Sequence, residues 1–367
     1  MDEIKVNLFS DPAEVYQLVR PPQQDEEGLL KKTNPNYLSH LSSFRLPTNY
    51  YIENARVLGA SNLILNSDDE GCLNNICFNP LVEDKIFDKS ETNYIVQDKQ
   101  IYFQAKSKAR IKNAIFLGVH WNYGHWMFNH LARLYYCDSQ ADNTLYIVGS
   151  STSPRYLEYL YLFGIEQKNI FKIEPGMVLS IDNLTVPQMP WHSLSERTMW
   201  WSPGSIKFVR DKLGSENALL GNANINVFLT RKNARWRRVI NEDQLFNYAS
   251  KYDFIRIDPA ELSIDQQIDL GKQTKVLITP LGANSNFFIN LPKGANVMEL
   301  GPPMEAMNVD PYFIPAAGLS FEQVLGVPKP MEEVVKENHH QHQGSSIDLD
   351  YIIDFQSFKE RLDAMFE

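Results

Sequence analysis

A chain of 367 residues with 43% hydrophobic side chains is long enough for two cores, and 45 acidic against 35 basic residues leave a net charge of −10, which excludes a nucleic-acid backbone as a general partner. The three cysteines, Cys72, Cys77 and Cys137, form no CxxC pair, which predicts a reducing compartment without structural disulfides or zinc. MDEIKVNLFSDP lacks the basic-then-apolar order of a secretory signal and no run approaches the ~18 apolar residues of a spanning helix, so a cytoplasmic protein is expected.

Residues 1–48 are polar and broken by Pro21, Pro22, Pro35 and Pro47, which predicts an N-terminal arm that wraps a lobe or lacks fixed structure. From Tyr50 to Gly118 short runs such as YYIENARVLG, NLIL and IYFQA alternate with Asn, Asp and Gly, the pattern of a β-rich entry. Strand NAIFLG at 113–118 then leads to helical GHWMFNHLARLYY, strand TLYIV at 144–148, and a helix opened by Ser153 and Pro154. That alternation predicts a parallel sheet. Ser202 and Pro203 open another helix that Gly214 closes, and the Gly/Asn-rich stretch behind it sets a domain boundary near residue 220, ending an N-terminal lobe over 49–220.

The second lobe, 221–330, shows clear βαβ units: strands at 226–230, 254–258, 275–279 and 296–300, with helices starting at Asn241 and Ser263. Asn241 with Gln244 and Ser263 with Gln266 have the spacing of capping boxes. Residues 331–367 read as a loop and an amphipathic helix, YIIDFQSFKERLDAMF, expected to pack back on the first lobe.

In an open parallel sheet, ligands bind beyond the carboxyl ends of the strands, where loops and helix N-termini gather. Three segments lie there: RKNARWRRVI, PLGANSN, and the turn from Glu299 to Pro302. The first concentrates Arg231, Arg235, Arg237 and Arg238 in an acidic chain, and guanidinium forks suit diphosphate oxygens. A solvated basic loop is the competing reading. Gly282 and Ala283 offer close backbone approach, and Asn284, Ser285 and Asn286 hydrogen-bonding capacity, although Gly-Ala-Asn is also an ordinary turn. Glu299 ends a strand at the same edge, where it suits ribose or sugar hydroxyls or, equally, an ion pair.

A second constellation runs from His120 through Trp121, Asn122, Tyr123, Gly124 and His125 to Trp126. It supplies a base and aromatic faces for stacking on a sugar; aromatic packing with capping histidines is the alternative. His130 lies five residues beyond His125, off the i+4 position of a helical zinc site. Asp348-Leu349-Asp350 has DxD spacing, but its carboxylates read better as first-turn charges of the C-terminal helix. His339, His340 and His342 read as a polar loop.

Together these segments resemble glycosyltransferase family 61, the group of bacterial capsular-polysaccharide, plant xylan and animal protein O-linked N-acetylglucosaminyl transferases. The resemblance runs over about 113–302: Asn122 to Trp126 with Arg133-Leu134; Arg231 with Arg237 to Glu242; Leu262-Ser263 with Gln267; Gly282-Ala283; and Glu299-Leu300. Leu281 stands where the family usually has His, and Asn129 where it usually has Asp or Glu.

The resemblance implies an α/β, GT-B-like fold of two Rossmann-like lobes whose parallel sheets face a central cleft, and an inverting transfer with no cofactor or metal. It further implies a nucleotide-sugar donor, taken as UDP-linked, and a glycan or lipid-linked saccharide acceptor in cell-surface polysaccharide synthesis; a lipid-linked acceptor would bring peripheral membrane contact. His125, with Asn122 and Asn129, is then the base or its orienter. Arg231, Arg237 and Arg238 with Gly282 and Ala283 form the diphosphate clamp, Asn241 belongs to the same loop, Glu299 and Asn284 reach ribose or base, and Gln267 contacts donor or braces the loop. Two other readings stay open: a catalytically silent nucleotide- or glycan-binding homologue, motivated by Leu281 and Asn129, and a two-lobed sugar epimerase.

Overall fold

The computed structural model describes residues 2–9, 17–19, 29–31, 49–72, 91–97, 100–119, 122–137, 143–195, 198–302, 310–328 and 350–367. The chain divides into two compact units, Met1–Ser205 and Ile206–Glu367. Among the described residues no helix is long and apolar enough to cross a membrane.

Unit 1 contains strands β1 (Asp2–Phe9), β2 (Gln17–Val19), β3 (Leu29–Lys31), β4 (Asn49–Leu58), β5 (Ile64–Leu65), β6 (Glu70–Cys72) and β7 (Tyr94–Gln97). They are followed by β8 (Gln100–Ala105), β9 (Ser107–Gly118), β10 (Leu145–Gly149), β11 (Ile170–Ile173), β12 (Met177–Val186), β13 (Trp191–Ser195) and β14 (Thr198–Trp201). Its main sheet runs β11-β10-β9-β12-β4-β5-β6-β1-β8-β7, with β2 on β4. Only part of it is Rossmann-like. β11, β10, β9 and β12 are parallel, but β12 pairs β4 antiparallel and most of the remaining ladder is antiparallel. The expected parallel sheet therefore covers one end of a larger mixed sheet. The arm expected over 1–48 also contributes to it: β1 lies between β6 and β8, and Val6 is fully buried. Among the described residues, apolar clusters carry this unit around Val57, Phe116, Ile147 and Ile181 and around Leu63, Ile101 and Phe103.

The carboxyl end of β9 begins the first candidate site. Its amino-terminal half alternates in exposure, while residues 114–118 are buried continuously, as a strand covered on both faces must be. Helix α1 (Tyr123–His125) follows, passing into a π-helical turn over Trp126–His130 and a 3-10 turn over Leu131–Tyr136. The predicted helix is thus real but is not a regular α-helix. Helix α2 (Pro154–Leu162), with Pro at its first position, connects β10 to β11.

Helix α3 (Pro203–Lys212) spans the division between the units. Among the described residues, unit 2 carries a six-stranded sheet of β15 (Ile225–Leu229), β16 (Phe254–Ile257), β17 (Thr274–Pro280), β18 (Asn296–Gly301), β19 (Ser320–Pro328) and β20 (Tyr351–Ile353), in the order β16-β15-β17-β18-β19-β20. All neighbours are parallel except β19 and β20. Helices α4 (Glu242–Ala249), α5 (Ile264–Lys272) and α6 (Asp310–Ala316) and a 3-10 segment over Ala283–Asn290 connect the strands. Because β15 connects outward to β16 and the chain then returns to β17 on its other side, the strand order reverses between β15 and β17. That is where such sheets open a crevice for ligands.

The C-terminal segment departs from expectation. Tyr351–Ile353 is a strand, and α7 (Phe355–Ala364) starts only after Asp354, whose side chain caps Ser357 N at 2.7 Å. The helix packs on its own unit: Phe358 and Leu362 are buried in one cluster with Phe228, Leu245, Ile278 and Tyr351. Tyr248 and Tyr252 both donate to Asp363, and Phe366 stacks on Tyr252. Burying each such aliphatic or aromatic side chain stabilises the fold by roughly 1.5–3 kcal/mol, which explains why α7 stays on unit 2.

Candidate functional site

The loops leaving β15 and β17 meet at the strand-order reversal of unit 2. Asn284 Nδ2 donates to the carbonyl of Thr230 at 3.2 Å, tying one loop to the other. Gly282 has φ 145°, a conformation open to glycine and strained for other residues, and a Cβ there would stand 2.7 Å from Arg231 Cζ. Ser285 N and Oγ both donate to Gly282 O, at 2.9 and 2.6 Å, and close the turn. The glycine thus lets a backbone turn lie directly against a guanidinium. Leu281 is fastened to the next strand by its N–H, which donates to Leu300 O at 2.8 Å.

Arg231 is only 7% exposed. Its Nη2 donates to Trp236 O at 3.0 Å, whereas its Nε is buried with no hydrogen-bond partner among the described residues. Burial holds the guanidinium down to about 10, the like charge of Arg237 adds to this, and Asp258 and Asp350 act in the opposite sense. It remains a cation at neutral pH, desolvated and short of partners, a combination that favours an incoming anion.

The backbone of this arginine is set by Glu242, a buried carboxylate that accepts from Thr230 Oγ1 at 2.5 Å and from Arg231 N at 3.1 Å. Sequence reading placed Glu242 in a motif without giving it a task; the signal was a carboxylate at a helix start directly following an arginine-rich loop. Arg237 sits in the left-handed region with φ 56°, and exposed Arg235 lies over the Trp236 ring at 4.4 Å.

The other predicted residues have definite partners. Arg238 is gripped by Asp350: its N–H donates to Oδ1 at 2.9 Å, and Nε and Nη2 to Oδ2 at 3.0 and 2.6 Å. Asp350 is therefore an ion-pair partner and not a first-turn carboxylate of a helix. The Asn241 side chain makes no cap bond to α4, contrary to the expected capping box. It pairs instead with the Ile353 backbone, Nδ2 to O at 2.8 Å and Ile353 N to Oδ1 at 3.1 Å, because β20 runs alongside and offers both groups. The Ser263–Gln266 capping box is present as predicted. Gln267 is buried and donates to Pro259 O at 2.6 Å, bracing the loop before α5.

Glu299 is fully buried at the end of β18, where its Oε1 accepts from Gln323 Nε2 at 2.8 Å. Beside it Tyr351, also fully buried, donates to Leu300 O at 2.5 Å. Burial pushes this phenol far above its ordinary range; Arg231 opposes the shift and Glu299 adds to it, so Tyr351 stays neutral. Arg231, Tyr351 and Glu299 therefore form one electrostatic neighbourhood.

In unit 1, Asn122 is the N-cap of α1: its Oδ1 accepts from Gly124 N at 2.9 Å and His125 N at 3.4 Å. His125, half-buried at the end of α1, is held by that cap. Asn129 is 1% exposed, its Nδ2 facing Met189 Sδ at 3.8 Å and its carbonyl accepting from Arg133 Nε at 2.7 Å. Trp126 is fully buried, stacked on Tyr156 and His130, so the expected sugar-stacking face is a core contact here. Tyr123 meets the buried Tyr159 hydroxyl at 2.6 Å, and burial, then Tyr159, raises its phenol. His120 and Trp121 lie outside the described residues. Gly118, with φ 107°, leaves room for His130, whose Nδ1 is 2.6 Å from Leu117 O. The structure thus makes Asn122 a cap and Asn129 a packing residue around His125.

Among the described residues no group of three or more His, Cys, Asp or Glu side chains is placed to hold a metal ion. His339, His340, His342 and Asp348 lie outside those residues.

Comparison with protein families matches residues 123–298 to the model described as Glycosyltransferase 61. The match begins at α1 and ends in β18, so it contains His125, the arginine loop and the Gly282 turn. No curated protein matches the chain.

Proposed function

Since this chain belongs to glycosyltransferase family 61 and is a glycosyltransferase, we propose that it moves a sugar from a nucleotide-sugar donor to a hydroxyl of a glycan or other acceptor, with inversion. The donor diphosphate is read as sitting at the carboxyl ends of β15 and β17. One observation carries this reading: Arg231, buried and under-partnered, lies against the Gly282 turn at the strand-order reversal. A diphosphate oxygen there would supply the desolvated guanidinium with the anion it lacks and would receive a charge-assisted hydrogen bond.

In the proposed reaction the acceptor oxygen bonds to the anomeric carbon as the bond from that carbon to the phosphate oxygen breaks. The acceptor proton passes to a base, which we assign to His125, and the electron pair of the broken bond leaves on the nucleoside diphosphate. Arg231 stabilises that developing negative charge; removing one such donor typically costs about 3–4 kcal/mol of transition-state stabilisation. No step calls on a metal ion. We read the donor as UDP-linked, the setting as cytoplasmic and membrane-peripheral, and the product as a cell-surface polysaccharide.

The test is thermal-shift titration with UDP, GDP and CDP in EDTA, for the wild type and Arg231→Ala. Stabilisation of the wild type by one nucleotide, lost in the variant, is expected. A folded wild type that responds to none of the three, or an equal response from Arg231→Ala, would remove the proposed donor site.

A further inference from the structure

The arginine loop is held at both ends by buried carboxylates that lie far apart in the sequence. Glu242 holds the start, through Thr230 and Arg231 N. Asp350 holds the far end, taking the backbone N–H and two guanidinium nitrogens of Arg238, while Tyr351 N donates to Arg238 O at 3.1 Å and Ile240 N to Tyr351 O at 2.9 Å. Between the two grips, Arg237 adopts φ 56°, a conformation that persists in a non-glycine residue only where its surroundings over-determine it. The charge that would bind a phosphate is thus presented by a loop whose shape depends on a segment 112 residues away in sequence.

We infer that Asp350 is a positioning residue for donor binding: by gripping Arg238 it holds the loop in the form that sets Arg231 against the Gly282 turn. This rests on the reading of that turn as the diphosphate site. It also changes the part Arg238 plays. The nitrogens engaged by Asp350 make Arg238 a strut of the loop, and Arg231 the residue that meets the ligand.

The test measures UDP affinity by isothermal titration for wild type, Asp350→Asn, Arg238→Gln and the double variant, with thermal melting recorded for each. Each single variant is expected to bind UDP about tenfold more weakly, and the double variant no more weakly than the worse single one, because both substitutions break one contact. Asp350→Glu, which keeps the charge, should recover part of the affinity. Asp363→Ala, which loosens α7 on the same unit by removing the acceptor of Tyr248 and Tyr252, should lower the melting temperature and leave UDP affinity unchanged.

A folded Asp350→Asn with wild-type affinity would overturn the inference, as would additive losses, which would place Arg238 on the phosphate independently of Asp350. A matching loss in Asp363→Ala would also overturn it, by tracing the effect to general loosening of unit 2. Should Asp350→Asn fail to fold, Arg238→Gln breaks the pair from the other side and decides by the same affinity comparison. A wild type that binds no UDP, GDP or CDP would instead remove the donor reading beneath it.

Discussion

Arg231 and Gly282 exclude one another's side chains: the guanidinium occupies the space a Cβ on residue 282 would need, 2.7 Å from Cζ. Gly282→Ala must therefore displace Arg231 and also force alanine to φ 145°. A loss of roughly 1–3 kcal/mol in stability follows from the backbone alone, with nucleotide binding lost beyond it because the guanidinium has moved. Melting and UDP titration on the same sample check this; a variant that binds UDP like the wild type would show that the turn does not contact the ligand.

Arg231 imposes a cost on the unliganded fold. The fall from the ordinary guanidinium range to about 10 corresponds to roughly 3 kcal/mol against the charged form, part of which is offset by the hydrogen bond to Trp236 and by packing. The penalty is present wherever both folded and unfolded chains are protonated, below about pH 10. It lifts only as the pH rises above that value toward the ordinary guanidinium range, where the folded protein has released the proton and the unfolded chain has not. At neutral pH, Arg231→Gln in the absence of nucleotide is expected to melt higher, by about 2–4 °C for each kcal/mol relieved, while losing UDP binding. A lower melting temperature would mean that Arg231 is a satisfied structural cation.

Glu242 is expected to be intolerant of its isostere. Glu242→Gln substitutes an amide for a carboxylate that accepts from both Thr230 Oγ1 and Arg231 N, so one accepting oxygen becomes a donor facing a donor. Leaving such a buried group unsatisfied costs about 1–3 kcal/mol. Denaturant unfolding should show a loss of that size with UDP affinity reduced alongside; a variant as stable as the wild type would mean that the loop can rearrange without this grip.

What the sequence made legible follows the range of each interaction. The strands of unit 2 were readable because continuous apolar runs such as NVFLT and KVLIT are set off by turns, and the Ser263–Gln266 box because its partners are three residues apart. The ends of β15, β17 and β18 located the arginine loop, Gly282 and Glu299 at one edge by the rule for parallel sheets. The roles of Asp350 and Asn241 were hidden because each depends on a partner 112 residues away, and a local reading assigned both to helix starts. Likewise β1 reads as part of a polar arm until its partners in β6 and β8 are known, since alternation in IKVNLF is too short to stand alone. The extended antiparallel sheet of unit 1 escaped for the same reason.

The roles proposed for His125 and Arg231 separate experimentally. His125, half-buried and set by the Asn122 cap, is proposed to act on the acceptor proton and not on the nucleotide. His125→Gln should therefore keep wild-type UDP affinity while slowing transfer roughly 10²–10⁴-fold, the usual contribution of a positioned base. Asn122→Ala removes the acceptor of two N–H groups at the start of α1, which should cost about 1 kcal/mol of stability and slow transfer less than His125→Gln, because the imidazole is retained but no longer held. Single-turnover rates with saturating donor, set beside UDP titrations, distinguish the cases. Near wild-type turnover in His125→Gln would move the base to another residue, whereas a fall in UDP affinity would place His125 at the donor.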